Sequence, residues 1–144
     1  MYVKDYIDSQ VPILYTYSTV SEAIALFEIE KYSHIPVVDE QHFFVGIADE
    51  ESLLEMNDSL LLSECHLSNT FSVPPEEHLY NALRYWFAYD KHTSILCLVD
   101  KYHHYVGCIT PSSVLEYLAN LNNIAYMGGI IVLDIPDKSY NLAE

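Results

Sequence analysis

The stretch His34-Ile35-Pro36-Val37-Val38-Asp39 is followed by Phe44-Val45-Gly46-Ile47-Ala48 and then by Ser52-Leu53-Leu54-Glu55. The second half repeats it as Ile95-Leu96-Cys97-Leu98-Val99-Asp100, Tyr105-Val106-Gly107-Cys108-Ile109 and Ser113-Val114-Leu115-Glu116. Val38 and Val99, Gly46 and Gly107, and Leu54 and Leu115 each stand 61 residues apart. Internal repetition at a fixed spacing marks copies of one supersecondary unit. Two copies of this length point to a pseudo-symmetric pair rather than a solenoid.

Working outward, each copy predicts the same order of elements. Val20, Ala23, Ile24 and Phe27 make one apolar helical stripe, and Leu79, Ala82, Leu83 and Trp86 make another. Thr19-Val20-Ser21-Glu22 fits a capping box at the first helix. Pro74-Pro75-Glu76-Glu77 offers the second helix a rigid, acidic start. The runs ending at Val38 and Val99 are short and rich in β-branched residues, as buried strands are. Polar turns at Asp39–His42 and Asp100–His103 lead into second strands, giving two antiparallel hairpins. A further helix closes each copy, capped by Asp49 in the first and by Thr110 with Pro111 in the second, the latter with a stripe of Val114, Leu115 and Leu118. Short strands near Ile13-Leu14-Tyr15 and Thr70–Val73 lead in, preceded by related segments at Val3–Ile7 and Ser59–Glu64. The fold class is α/β (α+β): two strand-helix-strand-strand-helix units sharing a core, with domains at residues 1–66 and 67–124. Residues 125–144 form a trailing segment whose Ile130–Ile135 run predicts one more strand.

Composition narrows the partners. Twenty-one Asp and Glu stand against 6 Lys and Arg, for a formal charge of −15. Such a field repels nucleic acid and anionic lipid. Arg84 is the single arginine able to offer a planar fork to a polyphosphate. Hydrophobic residues make up 51%, enough for a packed interior. No apolar run is long enough to span a bilayer, and the first residues lack the apolar stretch of a signal peptide. Cys65, Cys97 and Cys108 are an odd number with no close pair in sequence. A reducing cytoplasm is therefore the expected location.

These strings carry a family resemblance. Thr19-Val20-Ser21-Glu22-Ala23, His34–Asp39 and Val45-Gly46-Ile47 together resemble a CBS domain, and Leu98-Val99-Asp100 with Val106-Gly107-Cys108-Ile109-Thr110 is similar to a second copy. Cys97 takes the place of the proline equivalent to Pro36. The resemblance implies a tandem pair about a pseudo-twofold axis, often called a Bateman module, that dimerises with itself and regulates an attached or partner protein. It implies binding of an adenine nucleotide (AMP, ADP or ATP) or a related small molecule between the copies. The implied contacts are Ser33, His34, Ile35 and Pro36, and Ser94, Ile95, Leu96 and Cys97, with backbone groups reading the base edge. The family's Thr or Ser and following Asp at the closing helix hold phosphate and ribose. Here the first copy reads Asp49-Glu50-Glu51-Ser52 and the second Thr110-Pro111-Ser112-Ser113, so the ribose-binding Asp is missing from both. Three carboxylates in the first copy repel a phosphate, and the hydroxyls of Thr110 and Ser113 make the second copy the better site. Gly128–Pro136 is similar to the first strand of an ACT-like domain.

Other readings stay open beside this one. Ser33 and His34 also suit an ordinary polar loop, and Asp49 and Thr110 suit simple capping. Asp49, Glu50, Glu51 and Glu55 offer oxygen ligands for a divalent cation, or a solvated face complementing a helix dipole. His103 and His104 would point to opposite faces of a strand, which disfavours a shared metal. The chain has no nucleophile elbow, no glycine-rich phosphate loop and no Ser/His/Asp order, so it is read as non-catalytic. A ligand-free oligomerisation module is the remaining alternative.

Overall fold

A computed structural model describes residues 1–30, 32–68, 71–89 and 93–120. The chain divides into two compact units, the first running from Met1 to Thr110 and the second beginning at Pro111. The first unit contains β1 (Leu14–Tyr15), α1 (Val20–Glu30), β2 (His34–Val38), β3 (Phe44–Asp49), α2 (Glu50–Leu53), β4 (Ser72–Val73), α3 (Leu79–Tyr89), β5 (Leu96–Val99) and β6 (Tyr105–Ile109). Single 3₁₀ turns at Val3–Tyr6 and Leu62–Glu64 precede β1 and β4. Strands β1-β2-β3 form one three-stranded sheet and β4-β5-β6 another, each with a parallel pair followed by an antiparallel hairpin.

Local chemistry explains the repeat. At α1 the predicted capping box is made in full: the Glu22 amide donates to Thr19 Oγ1 at 3.1 Å, and the Thr19 amide donates to Glu22 Oε1 at 2.9 Å. At α3 the expected Pro-Pro-Glu-Glu start is corrected, because those residues form a turn and the helix begins at Leu79. His78 takes the capping position, accepting the Tyr80 amide on its Nδ1 at 3.1 Å. The hairpin turns are copies of each other. Asp39 Oδ1 accepts the Gln41 and Phe43 amides, and Asp100 Oδ1 accepts those of Tyr102 and His104, all at 2.9 Å. Such turns suit Asp because its carboxylate takes the amides that the reversing backbone cannot pair. The bond from the His104 amide is the largest influence holding the Asp100 carboxyl below its ordinary range.

The two turns meet. His42 and His103 have φ of 73° and 72°, a left-handed conformation uncommon for side chains other than glycine. Each then offers its carbonyl across the pair: His42 O accepts the Tyr105 amide at 3.1 Å and His103 O accepts the Phe44 amide at 3.0 Å. Phe43 and His104 stack with ring centroids 4.6 Å apart. His103 thus lies in a turn, with only His104 forming a bridge, so the sequence reading of both on a strand is corrected.

The leading segments are exchanged between the copies. The 3₁₀ turn after the first copy serves the first copy: the Val20 amide donates to Leu60 O and the Leu62 amide to Ser18 O, both at 2.8 Å. The turn at the start of the chain serves the second copy, with the Val3 amide donating to Glu77 O at 2.9 Å and the Leu79 amide to Met1 O at 3.0 Å. Ser68 pairs with Ile47 on β3 in both directions, at 3.1 and 3.3 Å, and the Asp8 amide donates to Cys108 O on β6 at 2.8 Å. The two repeated glycines lie beneath these crossings. A Cβ on Gly46 would stand 3.1 Å from Ser68 O, and one on Gly107 would stand 3.0 Å from the Ile7 side chain.

In the first copy the strands' period of two sends neighbouring residues to different cores. Ala48 faces Leu14, Val20, Phe27 and Ile35, a core completed by Leu53 and Leu62. Its neighbour Ile47 faces a core built from both copies, with Val38, Phe44, Ile95, Cys97, Val99 and Cys108. Burying each large apolar side chain contributes roughly 1.5–3 kcal/mol. Cys97 and Cys108, which are not close in sequence, are direct register partners in this shared core.

The closing helices differ from expectation. α2 is a single turn, Glu50–Leu53, with Leu53 buried and Leu54 exposed. In the second unit α4 spans Pro111–Asn120, with Ser113 and Val114 buried. Leu115 is 67% exposed and so leaves the predicted stripe, because one residue's rotation carries it off the face of Val114 and Leu118. Among the described residues no helix is long and apolar enough to cross a membrane. The predicted strand at 130–135 and the ACT-like start lie outside the described residues.

Candidate functional site

Ser33 and Ser94 are repeat equivalents, and their hydroxyls lie 3.4 Å apart, so the pseudo-twofold axis passes between them. His34 joins them. Its Nδ1 lies 2.9 Å from Ser94 Oγ and 3.1 Å from Ser33 Oγ, and it accepts the Ser94 amide at 3.3 Å. Three predicted site residues from two copies therefore form one polar cluster. Ser33 is exposed, while His34 and Ser94 are half-buried.

The other strand-entry residues offer backbone only. Ile35, Pro36, Ile95, Leu96 and Cys97 are all buried. The β1 ladder reaches β2 only at Val37 and Val38, and the β4 ladder reaches β5 only at Cys97 and Leu98. Among the described residues the entries to β2 and β5 lie ahead of these ladders and follow directly from Ser33, His34 and Ser94.

The anion positions are less open than the sequence suggests. In the first copy the Glu50 amide, one of the donors a helix start leaves unpaired, is taken by Ser33 O at 3.1 Å. Asp49 makes no side-chain cap, and its Oδ2 instead accepts the Ser52 hydroxyl at 3.1 Å. That corrects the expected Asp49 cap. In the second copy Thr110 is buried and donates its hydroxyl to Asp8 Oδ2 at 2.7 Å. Asp8 was missed in the sequence because it comes from the exchanged leading segment, 102 residues from Thr110. It places a carboxylate on the hydroxyl that looked most suited to phosphate. Burial pushes the nearby Tyr32 hydroxyl above its ordinary range, and the charges of Asp8 and Glu30 add to the shift. Ser113 lies on α4, in the second unit.

The acidic cation candidate does not assemble. Glu55 lies beyond the single turn of α2, and among the described residues no three His, Cys, Asp or Glu side chains group to hold a metal ion. Asp49, Glu50, Glu51 and Glu55, offered in the sequence as oxygen ligands or as a solvated face, are not brought together as a metal-binding group among the described residues. A hollow of about 500 Å³ lies elsewhere, lined by Arg84, Tyr85, Phe87, Ala88 and Tyr89 of α3, none of them a predicted contact.

Comparison with known proteins agrees with this architecture. A family model described as the CBS domain matches residues 3–57 and again 62–120. No curated protein sequence matches the chain. Among solved structures, the CBS domains of a transcriptional regulator from Streptococcus pneumoniae superpose with a TM-score of 0.71 at 17% identity, covering 81% of this chain and 98% of that one. A CBS domain pair/ACT domain protein from Thermotoga maritima superposes with a TM-score of 0.70 at 22% identity, covering 83% and 98%. CBSX2 in complex with AMP, a protein of Arabidopsis thaliana, superposes with a TM-score of 0.70 at 17% identity, covering 83% and 96%. With two matched copies, two hairpin sheets and a core shared between them, the chain belongs to the CBS-domain family as a tandem regulatory pair.

Proposed function

We propose that this CBS pair senses an adenosine-bearing ligand, with AMP preferred over ADP and ATP. The observation that carries the reading is the cluster of Ser33, His34 and Ser94 at the entries to β2 and β5. Hydroxyls, an imidazole and strand-edge backbone together offer donors and acceptors suited to a purine edge and a ribose. AMP bound to the structurally similar CBSX2 supports the ligand class. Charge sets the order within it. Asp8 stands at Thr110 and Asp49, Glu50 and Glu51 stand at the first copy's equivalent, so each added phosphate meets more carboxylate repulsion. Binding shifts the arrangement of the module, and that shift regulates an attached or partner protein in the cytoplasm.

A thermal-shift series with adenosine, AMP, ADP and ATP tests this. A ligand at 100 times its Kd stabilises by about 2.7 kcal/mol, which raises Tm by several degrees. AMP should give the largest rise among the nucleotides, Ser94→Ala should weaken it, and Asp8→Asn should bring ADP and ATP closer to AMP. No shift with any of the four ends the proposal.

A second reading, self-association, rests on α3. Tyr80, Phe87 and Tyr89 are 64, 67 and 73% exposed along this one helix. Aromatic side chains in this density are typical of interface cores. A homodimer is the expected state by sedimentation at micromolar concentration, and a Phe87→Ser, Tyr89→Ser double variant should dissociate it. A monomer for the unaltered chain would overturn this reading.

A further inference from the structure

Cys97 on β5 and Cys108 on β6 are direct cross-strand partners, both free thiols and both fully buried in the shared core. Partners in an antiparallel ladder alternate between those that exchange N–H···O bonds and those that do not, and the second kind bring their Cα atoms to about 4.5 Å. The type of this pair can be read from its surroundings. The Cys108 carbonyl accepts the Asp8 amide at 2.8 Å, so it points away from β5. The equivalent pair in the first copy, Pro36 and Ile47, agrees, because proline has no N–H and Ile47 bonds Ser68 in both directions. Cys97 and Cys108 are thus a close, non-hydrogen-bonded pair with both side chains in one core. A disulfide needs Cα atoms about 4.4–6.8 Å apart, a window that includes the roughly 4.5 Å typical of such a pair. Cys65 packs against the other core.

We propose that Cys97 and Cys108 form a reversible disulfide within the second copy when the protein meets a low-molecular-weight disulfide such as oxidised glutathione. The Cys108 thiol loses its proton, and its thiolate attacks one sulfur of glutathione disulfide, breaking that S–S bond and releasing one glutathione thiolate, which takes up a proton. Cys97 then loses its proton and attacks the mixed disulfide, expelling the second glutathione as its thiol. Two protein thiols and one glutathione disulfide become one protein disulfide and two glutathione thiols. The protein is oxidised by two electrons and the glutathione reduced by two.

The fold also sets the rate. Burial pushes the Cys108 thiol up to about 12 and holds the Cys97 thiol well above its ordinary value, so thiolate is scarce near neutrality. The exchanged leading segment covers β6: the Asp8 amide holds the Cys108 carbonyl, Asp8 Oδ2 holds the Thr110 hydroxyl, and Ile7 packs on Gly107. Lifting that segment is the route by which an oxidant reaches Cys108.

The test uses the full chain carrying Cys65→Ser, exposed to oxidised glutathione over a range of alkaline pH, then quenched by alkylation and mapped by peptide mass spectrometry. The expected product joins the peptides containing Cys97 and Cys108 with loss of two hydrogens, and dithiothreitol reverses it. Its rate should rise about tenfold per pH unit while the pH stays below the thiol's pKa. Thr110→Ala should speed it by loosening the segment over β6. Two alkylated thiols after prolonged exposure, or a glutathione adduct that persists on either cysteine, would overturn the proposal. The same mapping on Cys97→Ser checks the first step separately: a mixed disulfide at Cys108 supports the attack assigned to it, and an unmodified Cys108 overturns that assignment.

Discussion

Leu62→Ala is expected to lower the stability of the whole module by about 3 kcal/mol, within the range of roughly 2–5 kcal/mol for emptying a buried leucine site. Leu62 follows the first copy in sequence, in what looks like a connector, yet it is 0% exposed in the core of α1, β1, β2 and β3. Its amide is tied to Ser18 O at 2.8 Å, so the backbone cannot readily follow a shrinking side chain and fill the space. Urea unfolding should show a lower midpoint at an unchanged slope. A loss below about 1 kcal/mol would mean that the 3₁₀ turn is peripheral and that the exchange of leading segments is not part of the core.

Gly46→Val should cost a similar amount, about 3 kcal/mol, through overpacking rather than a cavity. Its first added carbon would lie 3.1 Å from both Ser68 O and Leu67 Cβ. Ser68 cannot retreat without breaking its two bonds to Ile47, at 3.1 and 3.3 Å. The extra methyls of valine then have to displace a paired backbone. Gly46→Ala tests the same contact at lower strain and should fall between wild type and valine in a thermal melt. Equal melting points for all three would refute the crowding argument.

Much of this architecture was legible because its signals are local. The Thr19–Glu22 capping box, the Asp39 and Asp100 turns and the β-branched strand runs each settle a few neighbouring residues, and the turns and strand runs recur in both copies. What was not legible is long-range. The exchange of leading segments pairs residues far apart with no local trace, so Asp8 could not be placed beside Thr110 from sequence. The single turn of α2 escaped because Leu53 and Leu54 alone do not fix a helix length. The cysteine pair depends on one irregularity. A regular hairpin with Val99 opposite Tyr105 would set Cys97 against Gly107, but the register shifts between Leu98 and Val99 and brings Cys108 opposite instead. Of the candidate ligand contacts, Ser33, His34 and Ser94 gather because they are repeat equivalents or neighbours of them, so the duplication that specified the fold also placed the cluster.

The exchanged segments also govern the order in which the molecule can be made. Val3 finds its backbone partner at Glu77, and Asp8 finds a backbone partner at Cys108 and a side-chain partner at Thr110, 102 residues further along. At synthesis rates of about 5–20 residues per second, that interval lasts on the order of 5–20 s. Val3 and Tyr6, which end up buried, wait through most of it for second-copy residues to dock against. The first copy receives its own lid, Leu62, almost as soon as β3 and α2 have emerged. On the ribosome the two halves of this near-symmetric molecule therefore have opposite histories: one is followed at once by its covering segment, and in the other the covering segment comes first and waits for its copy to be made.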